Sequence, residues 1–199
     1  AVAGNVKVGN QRNMLTYWQA IEYTTSQNFD RMAYSSINAV TVVPGAIGAF
    51  RKKALEAVGG FTTDTLAEDC DLTMSINEHG YVIENENYAV AMTEAPETLR
   101  QFVKQRIRWS FGVMQTFWKH RSSLFARSKG GFGLWAMPNM LIFQYIIPTF
   151  SPLADILMLL GLFTGNAWQI FLYYLLFLLV DASVSIMAYL FEHERLWVL

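Results

Sequence analysis

Gln105-Arg106-Ile107-Arg108-Trp109 stands where a mixed polar chain gives way to an apolar one, and it gathers an amide, two guanidiniums and an indole within five residues. Its neighbours from about Glu97 to Lys119 carry helical periodicity, so Gln105, Arg108 and Trp109 fall at i, i+3 and i+4 and share one helix face. A guanidinium offers a planar fork of donors suited to phosphate. An amide both donates and accepts, and an indole gives the flat apolar platform on which a sugar ring stacks. Taken alone, the pentapeptide fits equally an amphipathic helix with a basic outer face and a Trp in the core or at a membrane interface.

Working outward, the charges on either side are unevenly placed. Between Arg100 and Lys129 there are eight Lys or Arg and no Asp or Glu, whereas Gly130 to Phe191 contains only Asp155 and Asp181. A basic block before an apolar block is the positive-inside pattern, which places this segment on the cytoplasmic surface. The formal net charge of −1 argues against a general nucleic-acid binder. A single cysteine, Cys70, excludes an internal disulfide and a Cys-rich metal site. An opening Ala-Val-Ala-Gly without initiator Met or signal peptide, and an end at Leu199 inside an apolar run, lead us to expect a piece of a longer protein.

Upstream, Ala1 to Val8 reads as a strand with a tight Gly4-Asn5 turn beside it. Met14 to Phe29 reads as a helix packed on a sheet through Leu15, Trp18, Ile21 and Thr25. Ile37 to Phe50 begins as an apolar strand and breaks at Pro44-Gly45-Ala46, where the small residues Gly45, Ala46 and Gly48 leave room for a close backbone approach by a ligand or another segment. Arg51 to Val58 is a short helix closed by Gly59-Gly60. A second short helix running to His79-Gly80 collects Glu68, Asp69 and Asp71 at its N-terminus, more acids than dipole compensation requires. Tyr81 to Ile83 and Tyr88 to Met92 read as two short strands around an Asn85-Glu86-Asn87 turn, and Pro96 and Glu97 open the long helix. His79, His120 and His193 lack zinc-ligand spacing and read as surface or capping residues.

Downstream, Asn139 to Phe163 is apolar over the length of a membrane span, with Pro148 and Pro152 predicting a kink or break. Thr164-Gly165-Asn166 is a turn, and Trp168 to Phe191 a second span. Together they form a hairpin that returns the chain to the side it left. Asp155 and Asp181 are costly in lipid and are expected to face protein, water or headgroups.

The order Glu68-Asp69, then Gln105 to Trp109, then apolar spans resembles the processive family 2 glycosyltransferases. That group includes cellulose, hyaluronan, chitin and poly-N-acetylglucosamine synthases. The likeness runs through VAGNVKVGN (2–10), the Gln19-Ala20-Ile21-Glu22-Tyr23 helix, VVPGAIGAFRKKALEAVGGF (42–61), LAEDCDLT (66–73) and TEAPETLRQFVKQRIRW (93–109). It implies an α/β fold, the C-terminal part of a nucleotide-sugar glycosyltransferase A-type domain, followed by an α-helical transmembrane hairpin. The corresponding division is 1–96 catalytic domain, 97–133 interface helix region with the Q-x-x-R-W signature, 134–191 two transmembrane helices, and 192–199 the start of a cytoplasmic segment.

By the same resemblance Asp69 is the general base with Glu68 as its neighbour. Arg106 and Arg108 face the donor pyrophosphate with Gln105 beside them, Trp109 underlies the acceptor sugar, and Pro44, Gly45 and Ala46 border the acceptor site. The partners implied are a UDP-sugar, with N-acetylglucosamine favoured, a growing glycan and the bilayer of a plasma (inner) membrane, with the catalytic part cytoplasmic. The family's divalent metal (Mg2+ or Mn2+) is held by aspartates outside this chain, so the chain alone is expected to be inactive. Other readings are a non-processive enzyme adding one sugar to a lipid, and a noncatalytic membrane scaffold or transporter part.

Overall fold

The computed structural model describes residues 1–163 and 165–192. They form two compact units, one of Ala1–Pro138 and one beginning at Asn139. The Glu194-Arg195 segment and His193 lie outside the described residues.

The first unit is built on a mixed three-stranded sheet in the order β2-β1-β3. β1 (Val2–Val8) pairs antiparallel with β2 (Gly48–Ala49) and parallel with β3 (Glu84–Thr93). β1 is covered on both faces, as its alternation requires. Ala3 joins Val40, Val43, Leu72, Ile76 and Ile83 in one core cluster. Val6 and Val8 join Ala20, Tyr23 and Ala95 in another. Gly4 and Asn5 do not turn: the strand runs through them, and the partner strand absorbs the irregularity, its pairing stepping from Glu86 opposite Gly4 to Val90 opposite Asn5.

Helix α1 (Met14–Glu22) opens on a capping box in which the Asn13 side chain accepts from Thr16 N–H and the Thr16 hydroxyl accepts from Asn13 N–H. Its buried face is Thr16, Gln19 and Ala20, while Trp18 stands exposed, so the expected Leu15/Trp18/Ile21 stripe is not the one that packs. Polar residues win this face because each has a backbone partner, as where Gln19 Nε2 donates to Pro96 O at 2.9 Å. Nor does the helix stop at Phe29: a π-helical stretch Tyr23–Asn28 leads into α2 (Phe29–Ser35). The widened turns present Asn28 to β1, where its side chain donates to Val6 O at 2.9 Å.

Two expected strands are absent. Ala39, Val40 and Val43 are buried but the stretch is irregular, because helix α4 (Glu68–Glu78) satisfies its backbone through side chains. Asn77 Nδ2 donates to Val40 O at 2.8 Å, and Val43 N–H donates to Thr73 Oγ1 at 2.9 Å. Tyr81 to Ile83 is likewise held by Asn38, which accepts from Ile83 N–H and donates to Tyr81 O. The strand proper begins only at Glu84 and runs through Asn85-Glu86-Asn87 without a turn, although the step in pairing after Glu86 leaves Asn87 to Ala89 without register partners in β1. Helix α3 (Lys52–Val58) ends on Gly59 in the left-handed conformation, φ 82°, as its Gly-Gly signal predicts.

Helix α5 (Leu99–Lys119) starts two residues later than Glu97, capped by Thr98, whose hydroxyl accepts from Gln101 N–H. Short 3-10 turns at Arg121–Ser123 and Arg127–Lys129 follow. The next helical run, Phe132–Phe163, and helix α8 (Ala167–Phe191) are both long and apolar enough to cross a membrane. Pro148 and Pro152 do not break the former. π-helical turns at Phe132–Ala136 and Met140–Ile146 alternate with α6 (Met137–Asn139) and α7 (Ile147–Phe163). Widened turns accommodate a proline's missing N–H and ring. The Thr149 hydroxyl also donates to Tyr145 O next to Pro148.

In the second unit α7 and α8 pack closely enough that a Cβ on Gly161 would lie 2.6 Å from Ile170 Cδ1. Gly165 carries the turn between them at φ 82°. Asp155 and Asp181 are exposed on these helices.

Candidate active site

The first turn of α4 separates its three acids by environment. Glu68 is exposed, Asp69 is half-buried, and Asp71 is only 1% exposed. Ala67, the residue that starts the helix, supplies no side-chain cap. Asp69 fills part of that role itself, its Oδ1 accepting from Cys70 N–H at 2.8 Å. Its Oδ2 accepts from Gly45 N–H at 3.3 Å, so Pro44-Gly45-Ala46 and Asp69, far apart in sequence, form one small wall. Gly45 and Ala46 are exposed and Pro44 is half-buried. Of the small residues in this loop, Gly48 makes the close approach, where a Cβ would lie 2.6 Å from Val43 Cγ1, while a Cβ on Gly45 would lie 3.7 Å from Asp69 Oδ2.

Helix α5 is seated against the segment leading into Asp69. A Cβ on Gly112 would lie 2.7 Å from Ala67 N and 2.8 Å from Leu66 C, and Gln115 Oε1 accepts from Leu66 N–H at 3.1 Å. Arg108 lies four residues before Gly112, about 6 Å along the axis, and Gln105 and Trp109 share the side that carries it. Gln105 and Trp109 are half-buried and Arg108 is exposed. Gln105 Oε1 is buried without a hydrogen-bond partner among the described residues. Trp109 packs against the Val6–Val8–Ala20–Tyr23–Ala95 cluster.

Arg106 points elsewhere. Its guanidinium makes a bidentate pair with Glu22 of α1, Nη2 to Oε2 at 2.7 Å, and lies 4.8 Å from the ring centroids of both Phe102 and Trp109. A donor phosphate that engages Arg106 must therefore compete with Glu22. In sequence Glu22 looked like one more polar position on a structural helix, and only the tertiary pairing reveals its contact with the signature.

A second cluster lies deeper along the same two helices and was missed in sequence. His120, read there as a surface or capping residue, ends α5 but is 4% exposed. Its Nε2 is 2.9 Å from Asp71 Oδ1 and its Nδ1 is 2.8 Å from Glu78 Oε2. Lys119 Nζ donates to Asp71 Oδ2 at 2.9 Å and to Asp64 Oδ2 at 3.0 Å, and the Thr62 hydroxyl donates to Asp71 at 2.7 Å. Burial pushes the Asp71 carboxyl up, but hydrogen bonds from Lys119, Thr62 and His120 outweigh it and hold the group below its usual range. The available signal was Asp71, Met74 and Glu78 at i, i+3 and i+7: acids on a buried helix face demand partners.

No group of three or more His, Cys, Asp or Glu side chains gathers as a metal site among the described residues. The donors in hand therefore do not fit the family's divalent ion. Asp64 and Asp71 share Lys119, and Asp69 is turned to two backbone N–H groups.

A mixed sheet with an acid-rich helix start and a basic helix docked beside it is the frame on which comparison with known proteins places a family. The family model for glycosyl transferase family group 2 matches residues 1–181, and the chain belongs to that family. It is 31% identical over 122 residues to the poly-beta-1,6-N-acetyl-D-glucosamine synthase of Staphylococcus epidermidis, covering 59% of this chain and 30% of that protein. It is 33% identical over 112 residues to the synthase of the same name from Staphylococcus aureus (strain COL), covering 56% of this chain and 27% of that protein. The chain thus spans less than a third of the curated relatives it matches.

Proposed function

We propose that the chain is the acceptor-side portion of a membrane-embedded, inverting polysaccharide synthase that uses a UDP-sugar, N-acetylglucosamine being the favoured sugar. The observation that carries this reading is the Asp69 carboxylate, half-open and oriented by Gly45 and Cys70 N–H groups beside the seat of the Gln105-to-Trp109 helix. Asp69 takes the proton of the acceptor hydroxyl as its oxygen forms a bond to the anomeric carbon. The bond from that carbon to the diphosphate breaks with its electron pair, and the nucleoside diphosphate departs. Exposed Arg108, and Arg106 when it leaves Glu22, meet the charge that develops on the leaving group. Gln105 stands beside them on the same helix face, with Glu68 as the outer neighbour of the base.

Support for a membrane location comes from the two apolar helices and from α5 itself. Leu99, Val103, Ile107, Phe111, Met114 and Trp118 form an exposed apolar stripe along α5, interleaved with Arg100, Lys104 and Arg108. Such a face suits the cytoplasmic surface of an anionic bilayer.

Membranes containing the full-length protein, incubated with each nucleotide sugar in turn, should convert UDP-N-acetylglucosamine into a long polymer, measured by sizing the product. A product that stops at one sugar would mean transfer to a lipid acceptor instead. Trp109→Ala should weaken acceptor use by about tenfold or more, as loss of a sugar-stacking ring predicts. Hydrolysis of the donor should change far less. Equal loss of both activities would reduce Trp109 to a support for Arg106 and the adjoining core.

A further inference from the structure

We propose that His120 is a positioning residue for this reaction: as an imidazolium gripped by Asp71 and Glu78, it pins both ends of α4 to the end of α5 and so fixes Asp69 relative to the Gln105-to-Trp109 face. The proposal rests on Asp69 being the base.

A neutral imidazole has one N–H and one lone pair, yet both nitrogens of His120 meet carboxylate oxygens, at 2.8 and 2.9 Å. Only the doubly protonated ring can donate to both. Asp71 and Glu78 lie seven residues apart on one face of α4, so a single ring spans two helical turns. Asp71 is two residues from Asp69, and any shift of the first turn moves both. The groups around the ring match its charge. From α4 come Asp71 and Glu78, and from α5 comes Lys119, which also holds Asp64 on the preceding loop. From the 3-10 turns, the Ser123 hydroxyl donates to Glu78 Oε1 and Lys129 Nζ donates to the Glu78 backbone carbonyl. Arg121 turns away, onto the Trp118 carbonyl and ring.

Loss of the His120 proton leaves a lone pair facing a buried carboxylate, and one helix end comes free. Burial opposes the charge, but the hydrogen bonds to Glu78 and Asp71 outweigh it and raise the pKa above the ordinary 6.5. A raised folded-state value means that the clamp is complete below 6.5 and is lost as pH rises through the raised value. The polymerisation rate should therefore have an alkaline limb set by His120.

The test is the pH dependence of polymer synthesis by full-length protein in membranes, with kcat and donor KM separated. Glu78→Gln keeps a side chain of the same shape but removes one of the two charges, and should move the alkaline limb of kcat down by about one pH unit. Donor KM should stay within about twofold. His120→Gln should lower kcat at neutral pH by about tenfold and abolish the limb. A purely structural role would reduce the amount of active enzyme at every pH and leave the limb in place. If His120→Gln fails to accumulate, Glu78→Gln alone decides: an unmoved limb overturns the proposal. Asp69→Asn run alongside separates the two ideas. If it still polymerises, the base assignment fails; if it is dead while both clamp variants keep the wild-type profile, only the clamp fails.

Discussion

Asp69→Asn in the full-length protein should lower polymer synthesis by roughly 10²–10⁴-fold, the usual contribution of a positioned general base, while leaving donor binding close to normal. The substitution preserves shape, and the amide oxygen can still accept from Cys70 N–H, now 2.8 Å from Oδ1. What it cannot do is take a proton, and its NH2 group meets Gly45 N–H donor to donor where the carboxylate accepted at 3.3 Å. Because that contact is exposed, the stability cost should stay below about 1 kcal/mol. Glu68→Gln, at the exposed neighbouring acid, is the matched control and should cost only a few-fold. The measurement is labelled-sugar incorporation beside nucleotide-sugar binding; near-normal polymer from the Asn variant would sink the assignment of Asp69.

Gly112→Ala should be nearly as damaging, for a steric reason. On an open helix surface this exchange stabilises by roughly 1 kcal/mol. Here the new methyl would lie 2.7 to 2.9 Å from Ala67 N, Leu66 C and Ala67 Cβ, and two of those three atoms are backbone with no rotamer to move aside. Relief requires α5 to back away from the segment that carries Asp69, at a cost of about 1–3 kcal/mol. A displacement of about 1 Å between reacting groups is worth about 10²-fold in rate. Synthesis should therefore fall by about that factor, and the unfolding temperature of the solubilised protein should drop. An Ala variant that is both more stable and fully active would mean that Gly112 is not the seat of the helix.

Much of this arrangement is legible in the amino-acid sequence. The Gly59-Gly60 stop, the acids opening α4 and the long periodicity of α5 are local signals whose physics is complete within a few residues, and those elements lie where expected. The Pro44-Gly45-Ala46 loop and Asp69 also meet, through Gly45 N–H and Asp69 Oδ2. An apolar run, by contrast, does not declare its hydrogen-bond partners. Val40 and Val43 look like strand residues, but Asn77 and Thr73 reach them first. Charge balanced across the fold is equally hidden: Glu22 with Arg106 and Asp71 with His120 lie 84 and 49 residues apart. No periodicity connects such pairs.

The parallel pairing of β1 with β3 also bears on how the protein is made. Asn5 of β1 and Asn87 of β3 lie 82 residues apart, so the sheet cannot close until that whole interval has left the ribosome. Closing a loop of that length carries an entropic cost before the β1–β3 contacts reward it, as in other folds dominated by non-local strand pairing. Until then α1 and its π-helical continuation can form only from local contacts, and the apolar faces of β1 are open to wrong partners. Residues 132–163 follow the last strand by fewer residues than separate Asn5 from Asn87, so this apolar run is synthesised soon after the sheet becomes able to close.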